Sequence, residues 1–418
     1  MKKIKVGIFG AIRGMHYAKH FMLLGCDVVA VCENRPEAMN AAKAKLGDMA
    51  SYYEDFNDFI QHDMDAVFIA NYFPEHAPYA IRCMEKGIHV LSECMANGTM
   101  AEGVELLRAF EKSNVVYMLA ENYPHMKFNW EMKRLVNGGT LGKIIYAEGE
   151  YNHPANPNDN TYTKRLYHGM NHWRFFNPRT YYITHSLGPC MYITGATPVR
   201  VTAMAAFAPR TDTNGGASYV GDRAAVIMTQ NDDGSIYRFT GCSAFGAHHN
   251  SFRVCGTDGQ AENLRGMGEQ VMLRYNAWSI PEGREETNLY EPRWDDPDED
   301  FIIQSDHGGG DYLTARIFVN CIRENKQPEH PFDIYSAVNM ASVSILGHRS
   351  MLEGGQPYEI PDMHLEENRQ KYADDRLTPF WGSDGTPPSL PCCSVQDFRP
   401  SNEQLETWQD FERNRDAQ

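Results

Sequence analysis

The sequence predicts two α/β domains: a doubly wound parallel sheet, then an α/β domain with a large, open and mostly antiparallel sheet. Three observations support this fold class. Short β-branched runs alternate with helical stretches over the first 122 residues, a glycine-rich turn follows the first run, and longer strands that alternate apolar and polar residues begin near residue 142. The first pattern is typical of a parallel sheet covered by helices on both faces, and the last of an antiparallel sheet open on one face.

The first predicted domain spans residues 1–122. Its predicted strands are Lys5–Phe9, Asp27–Cys32, Ala66–Ala70, His89–Ser92 and Val115–Ala120. The predicted helices between them are Met15–Leu24, Pro36–Leu46, Ala77–Lys86 and Ala101–Ser113. Because each helix carries the chain back across the sheet, successive strands are expected to run parallel.

The second predicted domain spans residues 123–360 and begins with a helix at Phe128–Asn137. Its predicted strands are Ile144–Tyr151, Val199–Ala206, Arg223–Gln230, Ser235–Cys242, Phe252–Cys255 and Gln270–Tyr275. Two predicted helices, Tyr312–Glu324 and Ile334–Leu352, follow. Residues 361–418 are predicted to be a C-terminal arm, whose Trp and Phe residues indicate packing on the body or on a partner subunit.

The charge and cysteine pattern exclude several classes of protein. The formal net charge is −16, which argues against nucleic acid or an anionic membrane surface as the partner, because both bind excess Lys and Arg. No run approaches the roughly 18 apolar residues of a membrane-spanning helix, and the first residues lack the apolar core of a signal peptide. The ten cysteines are scattered without Cys-x-x-Cys spacing, so we expect reduced thiols in a cytoplasmic protein.

A glycine-rich turn between the first strand and the first helix is the main nucleotide signal. It reads Gly7-Ile-Phe-Gly10-Ala-Ile12-Arg13-Gly14, with Ile12 at the position of the middle glycine. Glycine lets the backbone approach a pyrophosphate, and the free N–H groups of the helix terminus bind it. Glu33 ends the next strand, 23 residues after Gly10, close to the roughly 20-residue spacing of the acid that binds a ribose diol.

A Rossmann-type domain that binds NAD is therefore predicted. Glu33 repels the 2′-phosphate of NADP, while the neighbouring Arg35 keeps NADP as a second option. The alternative is a doubly wound domain that no longer binds a nucleotide.

Two segments resemble the glucose-fructose oxidoreductase/inositol dehydrogenase/rhizopine-catabolism (Gfo/Idh/MocA) family. Ile69–His76 is similar to the loop after the family's fourth strand, and His89–Met95 stands where the family has Glu-Lys-Pro. The resemblance covers about residues 4–360. It implies a nucleotide domain followed by an open sheet that often mediates oligomerisation, and so a homo-oligomer, dimer or tetramer. Since cofactors bind at the carboxyl edge of such sheets, the further cofactor candidates are Asn71, His76, Glu93 and Asn122.

The sequence departs from this family at one informative position. Cys94 replaces the lysine that serves the hydride and proton chemistry of the family's sugar dehydrogenases. A thiol offers neither the charge nor the three donors of an ammonium group, so catalysis by that lysine is excluded. A narrower resemblance, to the NAD-dependent α-N-acetylgalactosaminidases, accounts for the departure, because these enzymes also lack the lysine. It rests on Met118–Asn122, Ala147–His153, His172–Arg174, Tyr181–Pro189, Gly309–Asp311 and Asp333–Ala337.

Those glycosidases oxidise the sugar at C3, remove the acidified C2 proton, expel the C1 substituent, add water and re-reduce the sugar. The resemblance implies a carbohydrate substrate, tightly bound and recycled NAD, and Tyr182 as the base for the C2 proton. Tyr182 and His185 are three residues apart, so at a helix start they share one face. A free phenol titrates at about 10, and we expect His185 and Arg174 to lower the pKa of Tyr182. A buried Tyr–His hydrogen bond without chemistry is the alternative.

The remaining candidates are predicted to bind substrate. Trp173 or Tyr151 is expected to stack on a sugar face, and Arg174 and His153 to hydrogen-bond its hydroxyls, since loop residues of this kind are normally positioned for a ligand. Neighbouring strand residues point to opposite faces, so His248 is expected to face the pocket without His249, and no metal site is predicted. Two other functions stay open: a simple sugar or cyclitol dehydrogenase, and a non-catalytic NAD-sensing regulatory protein.

Overall fold

The structure, a computed structural model, describes residues 3–293 and 296–415. Its first sheet has six parallel strands in the order β3-β2-β1-β4-β5-β6. These are β1 (Lys5–Phe9), β2 (Asp27–Cys32), β3 (Ser51–Tyr53), β4 (Ala66–Ile69), β5 (His89–Ser92) and β6 (Tyr117–Leu119). The sequence pattern misses β3, because this three-residue edge strand has no fully buried residue. The strand order reverses beside β1, and this opens a crevice at the carboxyl ends of β1 and β4.

Helices cover both faces of this sheet, so the predicted doubly wound arrangement is confirmed. One face carries α1 (Ala11–Leu23) and α2 (Pro36–Leu46), and the other carries α3 (Phe56–Phe59), α4 (His76–Glu85) and α5 (Met100–Glu111). Helix α1 begins at Ala11 and not at the predicted Met15. Gly10 has φ +93°, and a Cβ there would lie 2.2 Å from the carbonyl oxygen of Ala70. Only glycine fits this turn. Because the turn is completed at Gly10, the helix begins at the next residue, four residues before the predicted start.

The second sheet has nine strands in the order β14-β13-β12-β11-β7-β10-β9-β8-β15. They are β7 (Ile144–Asn152), β8 (Pro198–Phe207), β9 (Asp222–Asn231), β10 (Ile236–Thr240), β11 (His249–Gly256), β12 (Gly259–Asn263), β13 (Val271–Tyr275), β14 (Thr287–Tyr290) and β15 (Tyr358–Glu359). Among the described strands of this sheet, β7 and β10 are the one pair that runs parallel, which confirms a mostly antiparallel sheet. The sequence pattern misses β12, β14 and β15, because they are short and carry few apolar residues.

Helices cover one face of the second sheet and leave the other open. The remaining helices are α6 (Lys127–Asn137), α7 (Thr161–Leu166), α8 (Thr184–Thr194), α9 (Glu299–Ile303), α10 (Gly310–Glu324), α11 (Ile334–Leu352), α12 (Glu366–Tyr372) and α13 (Asn402–Arg413). On β9, exposed Val226 and Met228 alternate with buried Ile227 and Thr229. This alternation is what a sheet with one solvated face requires.

Helix α10 returns from the second domain to the first. It packs against α1, and its Ala315 and Phe318 are fully buried in the apolar cluster on that face of the first sheet. The start of α10 therefore lies next to the glycine turn, although the two segments are about 300 residues apart in the sequence.

The C-terminal arm packs on the body of the same chain. Trp408 of α13 is buried with its ring 5.2 Å from that of Phe175, and His348 of α11 donates from Nε2 to the carbonyl of Pro391 (2.8 Å). All ten cysteines lie in the described ranges and are free thiols. Among the described residues, no helix combines the length and apolar content needed to cross a membrane.

Candidate active site

The turn after β1 has the geometry of a phosphate-binding loop. The N–H of Gly10 donates to the carbonyl of Cys32 (2.9 Å), which fixes the turn between β1 and β2. A Cβ on Gly14 would lie 2.2 Å from the side chain of Ile8, so this glycine lets α1 pack closely on β1. At the start of α1, the backbone N–H of Ile12 has no helical acceptor. The missing middle glycine at Ile12 therefore leaves the anion-binding end of the helix in place.

Glu33 lies at the end of β2 and is 6% exposed. Its carboxylate accepts hydrogen bonds from the N–H groups of Ala11 and Arg35, both at 3.0 Å. These two bonds hold the carboxylate beside the start of α1 and leave further acceptor capacity on both oxygens. This is where the acid that binds a ribose diol stands in dinucleotide-binding domains.

Three side chains at the same edge of the sheet carry buried polar atoms without a partner among the described residues. Both amide atoms of Asn71, Nε2 of His76 and Oδ1 of Asn122 are in this state. His76 is held by its other nitrogen, which lies 2.8 Å from the carbonyl oxygen of Met95. Buried polar groups are normally hydrogen-bonded, so these atoms fit a polar ligand such as the nicotinamide half of a dinucleotide.

Arg13 and Glu93, which the sequence assigns to cofactor binding, bind each other. Nε of Arg13 lies 2.6 Å from Oε1 of Glu93, and its two terminal nitrogens lie 2.8 Å from the carboxylate oxygens of Asp311. Asn122 also donates to Asp311 (2.7 Å). Burial opposes the charge of Asp311, yet His307 and Arg13 hold its pKa far below the ordinary value. The Arg13 guanidinium thus ties α1 to α10, and the assignment of Arg13 and Glu93 to the cofactor stays a prediction.

A hydrogen-bonded chain of Tyr182, His185 and Glu121 lies beside this edge. The Tyr182 hydroxyl is 3.3 Å from Nε2 of His185, and Nδ1 of His185 is 2.9 Å from Oε1 of fully buried Glu121. Burial opposes the charge of Glu121, but His185 and other donors keep its pKa below the ordinary value. An ionised carboxylate only accepts, so Nδ1 carries the proton and Nε2 accepts from the phenol. Tyr123 stacks on the His185 ring at 4.0 Å and fixes its orientation.

The pKa of Tyr182 differs from the sequence expectation. Burial raises the pKa of this phenol well above its ordinary value, and the positive charge of Arg174 offsets only part of the effect. The expected lowering by Arg174 and His185 is therefore wrong for the resting protein, because removing the phenol from water disfavours the phenolate more than one cation stabilises it. Tyr182 is a neutral phenol that donates to His185.

Cys94 lies next to the same carboxylate. Its Sγ is 3.4 Å from Oε2 of Glu121. Burial, followed by the charges of Glu121 and Glu93, raises the pKa of the Cys94 thiol well above its ordinary value. The group in the place of the family's lysine is thus an uncharged thiol.

Tyr151 near the end of β7 lies beside Tyr182, and His153 just after β7 and His248 just before β11 follow outward from it. The Tyr151 ring is 7% exposed and lies 6.0 Å from the Tyr182 ring and 5.1 Å from the His185 ring. His153 and His248 are exposed, with ring centroids 4.8 Å apart. His249 turns away and its Nε2 lies 2.9 Å from Glu150, as the alternation of strand side chains requires.

Trp173 and Arg174 form a short helical turn that His172 caps by accepting from the N–H of Arg174 (3.3 Å). The Trp173 ring stacks on Phe73 at 5.1 Å and is 8% exposed, about as buried as Tyr151. Which of these two rings stacks on a sugar stays a prediction. The Arg174 guanidinium lies 4.4 Å above the Trp173 ring, and among the described residues it has no carboxylate partner.

The described residues contain no group of three or more His, Cys, Asp or Glu side chains placed to hold a metal ion. The polar groups described above converge at the carboxyl edge of the first sheet, where dinucleotides bind in doubly wound folds. The family model described as "Oxidoreductase family, NAD-binding Rossmann fold" matches residues 4–121, and the Gfo/Idh/MocA C-terminal domain model matches residues 130–262. The chain belongs to the Gfo/Idh/MocA family. The model of the glycosyl hydrolase 109 C-terminal domain also matches, over residues 221–368.

Curated relatives of this Gfo/Idh/MocA protein include several named glycosyl hydrolase family 109 proteins. One from Stenotrophomonas maltophilia is 25% identical over 412 residues, which cover 86% of this chain and 89% of the relative. Another from Bacteroides thetaiotaomicron is 24% identical over 410 residues, 87% of this chain and 85% of the relative. The resemblance to the NAD-dependent glycosidase branch is thereby confirmed.

Solved structures share the fold of this Gfo/Idh/MocA protein. Levoglucosan dehydrogenase in complex with NADH and levoglucosan has a TM-score of 0.71 and 18% identity over 86% of this chain and 100% of that one. The myo-inositol 2-dehydrogenase from Lactobacillus plantarum has a TM-score of 0.63 and 21% identity over the same shares. At this level of identity the likeness shows the fold alone.

Sequence reasoning misses two side chains that organise this Gfo/Idh/MocA site. Glu121 orients His185, and Asp311 holds Arg13 and Asn122. The position of Glu121 could have indicated its role, since it directly precedes Asn122 after the carboxyl end of β6. The residues around Asp311 do not reveal its role, because its partners come from α1 and from the end of β6.

Proposed function

We propose that the protein is an NAD-dependent enzyme that processes a glycoside by oxidation at C3, loss of the C2 proton and re-reduction, with net hydrolysis or elimination. One observation carries the proposal: the uncharged thiol of Cys94 stands where sugar dehydrogenases of the family use lysine, while Tyr182 is bonded to the His185–Glu121 pair. The proton carrier at this edge is thus a phenol and not an amine. The relatives named glycosyl hydrolase family 109 support the same reaction class.

The cofactor we propose is NAD, with NADP less favoured. The N–H groups at the start of α1 would bind the pyrophosphate, and Glu33 the adenosine ribose. The unpartnered amide of Asn71, Nε2 of His76 and Oδ1 of Asn122 would hold the nicotinamide half. When bound, the oxidised nicotinamide accepts a hydride from a sugar carbon. Arg35 lies 3.5 Å from Glu33 and is paired with it, so it is not free to receive a 2′-phosphate.

The residues of the chain then handle the C2 proton. The phenol of Tyr182 is neutral at rest, so it accepts a carbon-bound proton only as its own proton passes to Nε2 of His185. The imidazolium that forms is stabilised by Glu121, 2.9 Å from Nδ1. The same path returns the proton when the sugar is re-protonated. Relay through a positioned imidazole is general acid–base catalysis of the kind that contributes about 10²- to 10⁴-fold.

The substrate side of the site offers donors and flat rings. Arg174 supplies a guanidinium without a carboxylate partner among the described residues, and His153 and His248 line the exposed mouth. We assign these three to the hydroxyls and substituents of a sugar. Tyr151, whose ring lies beside those of Tyr182 and His185, and Trp173 are the candidate rings for a sugar face.

We infer that the cofactor is retained between turnovers, because a segment of the second domain crosses the crevice. This roof segment, residues 161–176, reaches the start of α2, where His168 lies 3.7 Å from Glu37. It also reaches the loop after β4, where the His172 and Tyr72 rings lie 5.1 Å apart. Contacts on both sides of the crevice cover the path by which a dinucleotide would leave.

The C-terminal helix braces the roof segment from outside. Trp408 donates from Nε1 to the carbonyl of Gly169 (3.3 Å), and the N–H of Gly169 donates to Glu412 (3.1 Å). Arg415 donates to the carbonyls of Lys164 (2.7 Å) and Tyr167 (2.5 Å). A braced roof is what recycling requires, since an enzyme that re-reduces its own product has no need to release NAD.

We also propose that the protein is a cytoplasmic homo-oligomer. Free thiols at all ten cysteines suit a reducing compartment. The open face of the second sheet exposes Met204, Val226 and Met228 on neighbouring strands, and contiguous exposed apolar surface of this kind marks contact sites. Light scattering on the purified chain measures the oligomeric state.

Solvent-exchange turnover tests the proposed function. The purified protein, without added NAD, is incubated in D₂O with a panel of aryl glycosides, and aglycone release, deuterium at C2 and absorbance of reduced cofactor are followed. The proposal expects aglycone release with deuterium at C2 and no accumulation of NADH. Stoichiometric NADH with a keto sugar would instead identify a simple dehydrogenase. Bound NAD with no turnover of any sugar would identify a sensor.

A further inference from the structure

A small cavity lies between the second sheet and the C-terminal arm, away from the carboxyl edge of the first sheet. It has a volume of about 40 Å³ and is lined by Arg179, Arg210, Arg223, Ser218 and Asp222, with Gln404 from the arm. This volume holds roughly three water molecules or one tetrahedral oxyanion. Three guanidinium groups in one small cavity are unusual in a chain whose formal net charge is −16.

Two of the three arginines have only backbone acceptors. Arg179 donates from Nε to the carbonyl of Asp222 and from Nη1 to that of Cys242, both at 3.0 Å. Arg223 donates from Nε to the carbonyl of Ala208 (2.7 Å). Within the described ranges neither guanidinium has a carboxylate at ion-pair distance. Each therefore keeps unused N–H donors and an unneutralised charge, which is costly in a partly buried position.

The carboxylates nearby do not neutralise the group. Asp212 is paired with Arg210 and accepts the N–H of Asn214 (3.1 Å). Asp222 lines the cavity, but its carboxylate accepts the N–H of Ser394 at 2.8 Å and the hydroxyl of Ser394 at 2.5 Å. Three arginines against these two carboxylates leave one positive charge. Burial and then the neighbouring Arg210 and Arg179 lower the pKa of Arg223, as expected for like charges held close together.

We propose that this cavity binds a small tetrahedral oxyanion, phosphate or sulfate, free or as an ester group on a small molecule. Arg179 and Arg223 bind it through their unused N–H donors, since guanidinium groups recognise oxyanions in this way. Arg210, whose fork is on Asp212, adds positive charge beside it. Gln404 of α13 lines the cavity from the arm and donates to the carbonyls of Arg210 (3.2 Å) and Asp212 (2.7 Å).

The site is independent of the proposed glycoside chemistry but lies near it in the fold. Arg179 precedes Tyr182 by three residues and donates to the carbonyl of Cys242. The N–H of Cys242 in turn donates to the carbonyl of Tyr182 (2.8 Å). An anion at this site therefore stabilises, through Arg179, the backbone that carries Tyr182.

Thermal melting and calorimetric titration of the full-length protein test this site. Sodium phosphate or sulfate, at ionic strength matched with chloride, is expected to raise the melting temperature saturably and to give a binding isotherm of one anion per chain. Arg223→Gln is expected to weaken binding at least tenfold. Arg200→Gln, at a surface arginine paired with Glu359, is the matched control and is expected to bind normally.

A second variant and a second ligand complete the test. Arg223→Lys keeps the positive charge but lacks the paired N–H donors of a guanidinium, so it is expected to bind the anion more weakly than the native chain. This variant tests the site even if Arg223→Gln fails to fold. Competition by a sugar phosphate distinguishes an ester ligand from the free ion. Equal binding by native, Arg223→Gln and Arg223→Lys proteins, or no response beyond that of chloride, would overturn the proposal. Glycoside turnover is not part of the readout, so this result and that of the proposed function can differ.

Discussion

Nδ1 of His185 lies 2.9 Å from the buried carboxylate of Glu121, while the other ring nitrogen faces the hydroxyl of Tyr182 at 3.3 Å. The carboxylate fixes the tautomer, so the nitrogen that faces the phenol is an acceptor. Among the described residues, His185 is the one basic side chain within ion-pair distance of Glu121. The pair is therefore built to hold a proton that arrives through Tyr182.

Replacing Glu121 by Gln tests this relationship. An amide can present its N–H to Nδ1, which reverses the tautomer and removes the charge that stabilises the imidazolium. We expect kcat to fall by roughly 10²- to 10⁴-fold with little change in bound NAD, measured by aryl glycoside turnover and by nucleotide release on denaturation. Glu131→Gln is the control, because Glu131 is equally buried but binds Arg134 and Tyr290. Full activity in Glu121→Gln would remove the pair from the mechanism.

Replacing Tyr182 by Phe removes the hydroxyl that carries the C2 proton. We expect turnover and deuterium exchange at C2 to fall together by roughly 10²- to 10⁴-fold, while the folded state is retained. Tyr181→Phe is the matched control, since Tyr181 is the adjacent buried tyrosine and its hydroxyl has no partner among the described residues. If Tyr182→Phe kept C2 exchange at the native rate, another residue would be the base.

The carboxylate of Glu33 is expected to select the dinucleotide. Glu33→Ser removes the negative charge that repels a 2′-phosphate. It also removes the carboxylate that would accept from the ribose hydroxyls and that the N–H groups of Ala11 and Arg35 hold in place. We expect weaker NAD binding and a higher ratio of NADP to NAD affinity. Each affinity is measured by cofactor fluorescence on protein stripped of nucleotide. An unchanged ratio would mean that the ribose binds elsewhere.

The brace on the roof segment is expected to slow cofactor release. Trp408→Ala deletes the buried ring and the hydrogen bond to Gly169, so the roof segment opens more often. We expect the release rate of NAD, followed by dilution into excess labelled nucleotide, to rise at least tenfold. Arg413→Ala changes an exposed residue of the same helix, whose partner is Asp410, and is expected to release NAD at the native rate. Identical rates in both variants would contradict the retention argument.

The protein is expected to lose stability on acidification through a buried histidine. Burial lowers the pKa of His348 from 6.5 to about 4, and the charge of Arg349 adds to the effect, although the hydrogen bond from Nε2 to the carbonyl of Pro391 acts in the opposite direction. The unfolded chain gains this proton below about pH 6.5 and the folded chain only near pH 4, so folding stability falls across that window. The full effect is about 3 kcal/mol.

A melting-temperature series between pH 4 and pH 7 measures this loss. His348→Gln keeps a donor and an acceptor without the titration, so its melting temperature is expected to depend less on pH over the same window. Parallel curves for the native and His348→Gln proteins would assign the acid sensitivity to other groups.

The sequence by itself determined the parts of this protein that depend on local pattern. Strand–helix alternation and the turn at Gly10 predicted the parallel sheet. The spacing from Gly10 to Glu33 predicted which end of the sheet binds a dinucleotide, and Cys94 excluded catalysis by a lysine at that position. These features follow from side-chain period and backbone freedom, which short stretches of chain encode.

Only the tertiary structure decided which side chains meet. Asp311 reaches Arg13 because α10 packs against α1, and Arg179 lies beside Arg223 because the segment before α8 contacts the start of β9. The protonation of Tyr182 was also beyond the sequence. A pKa depends on how much water burial removes and on which charges lie nearby, and both are set by segments far apart along the chain.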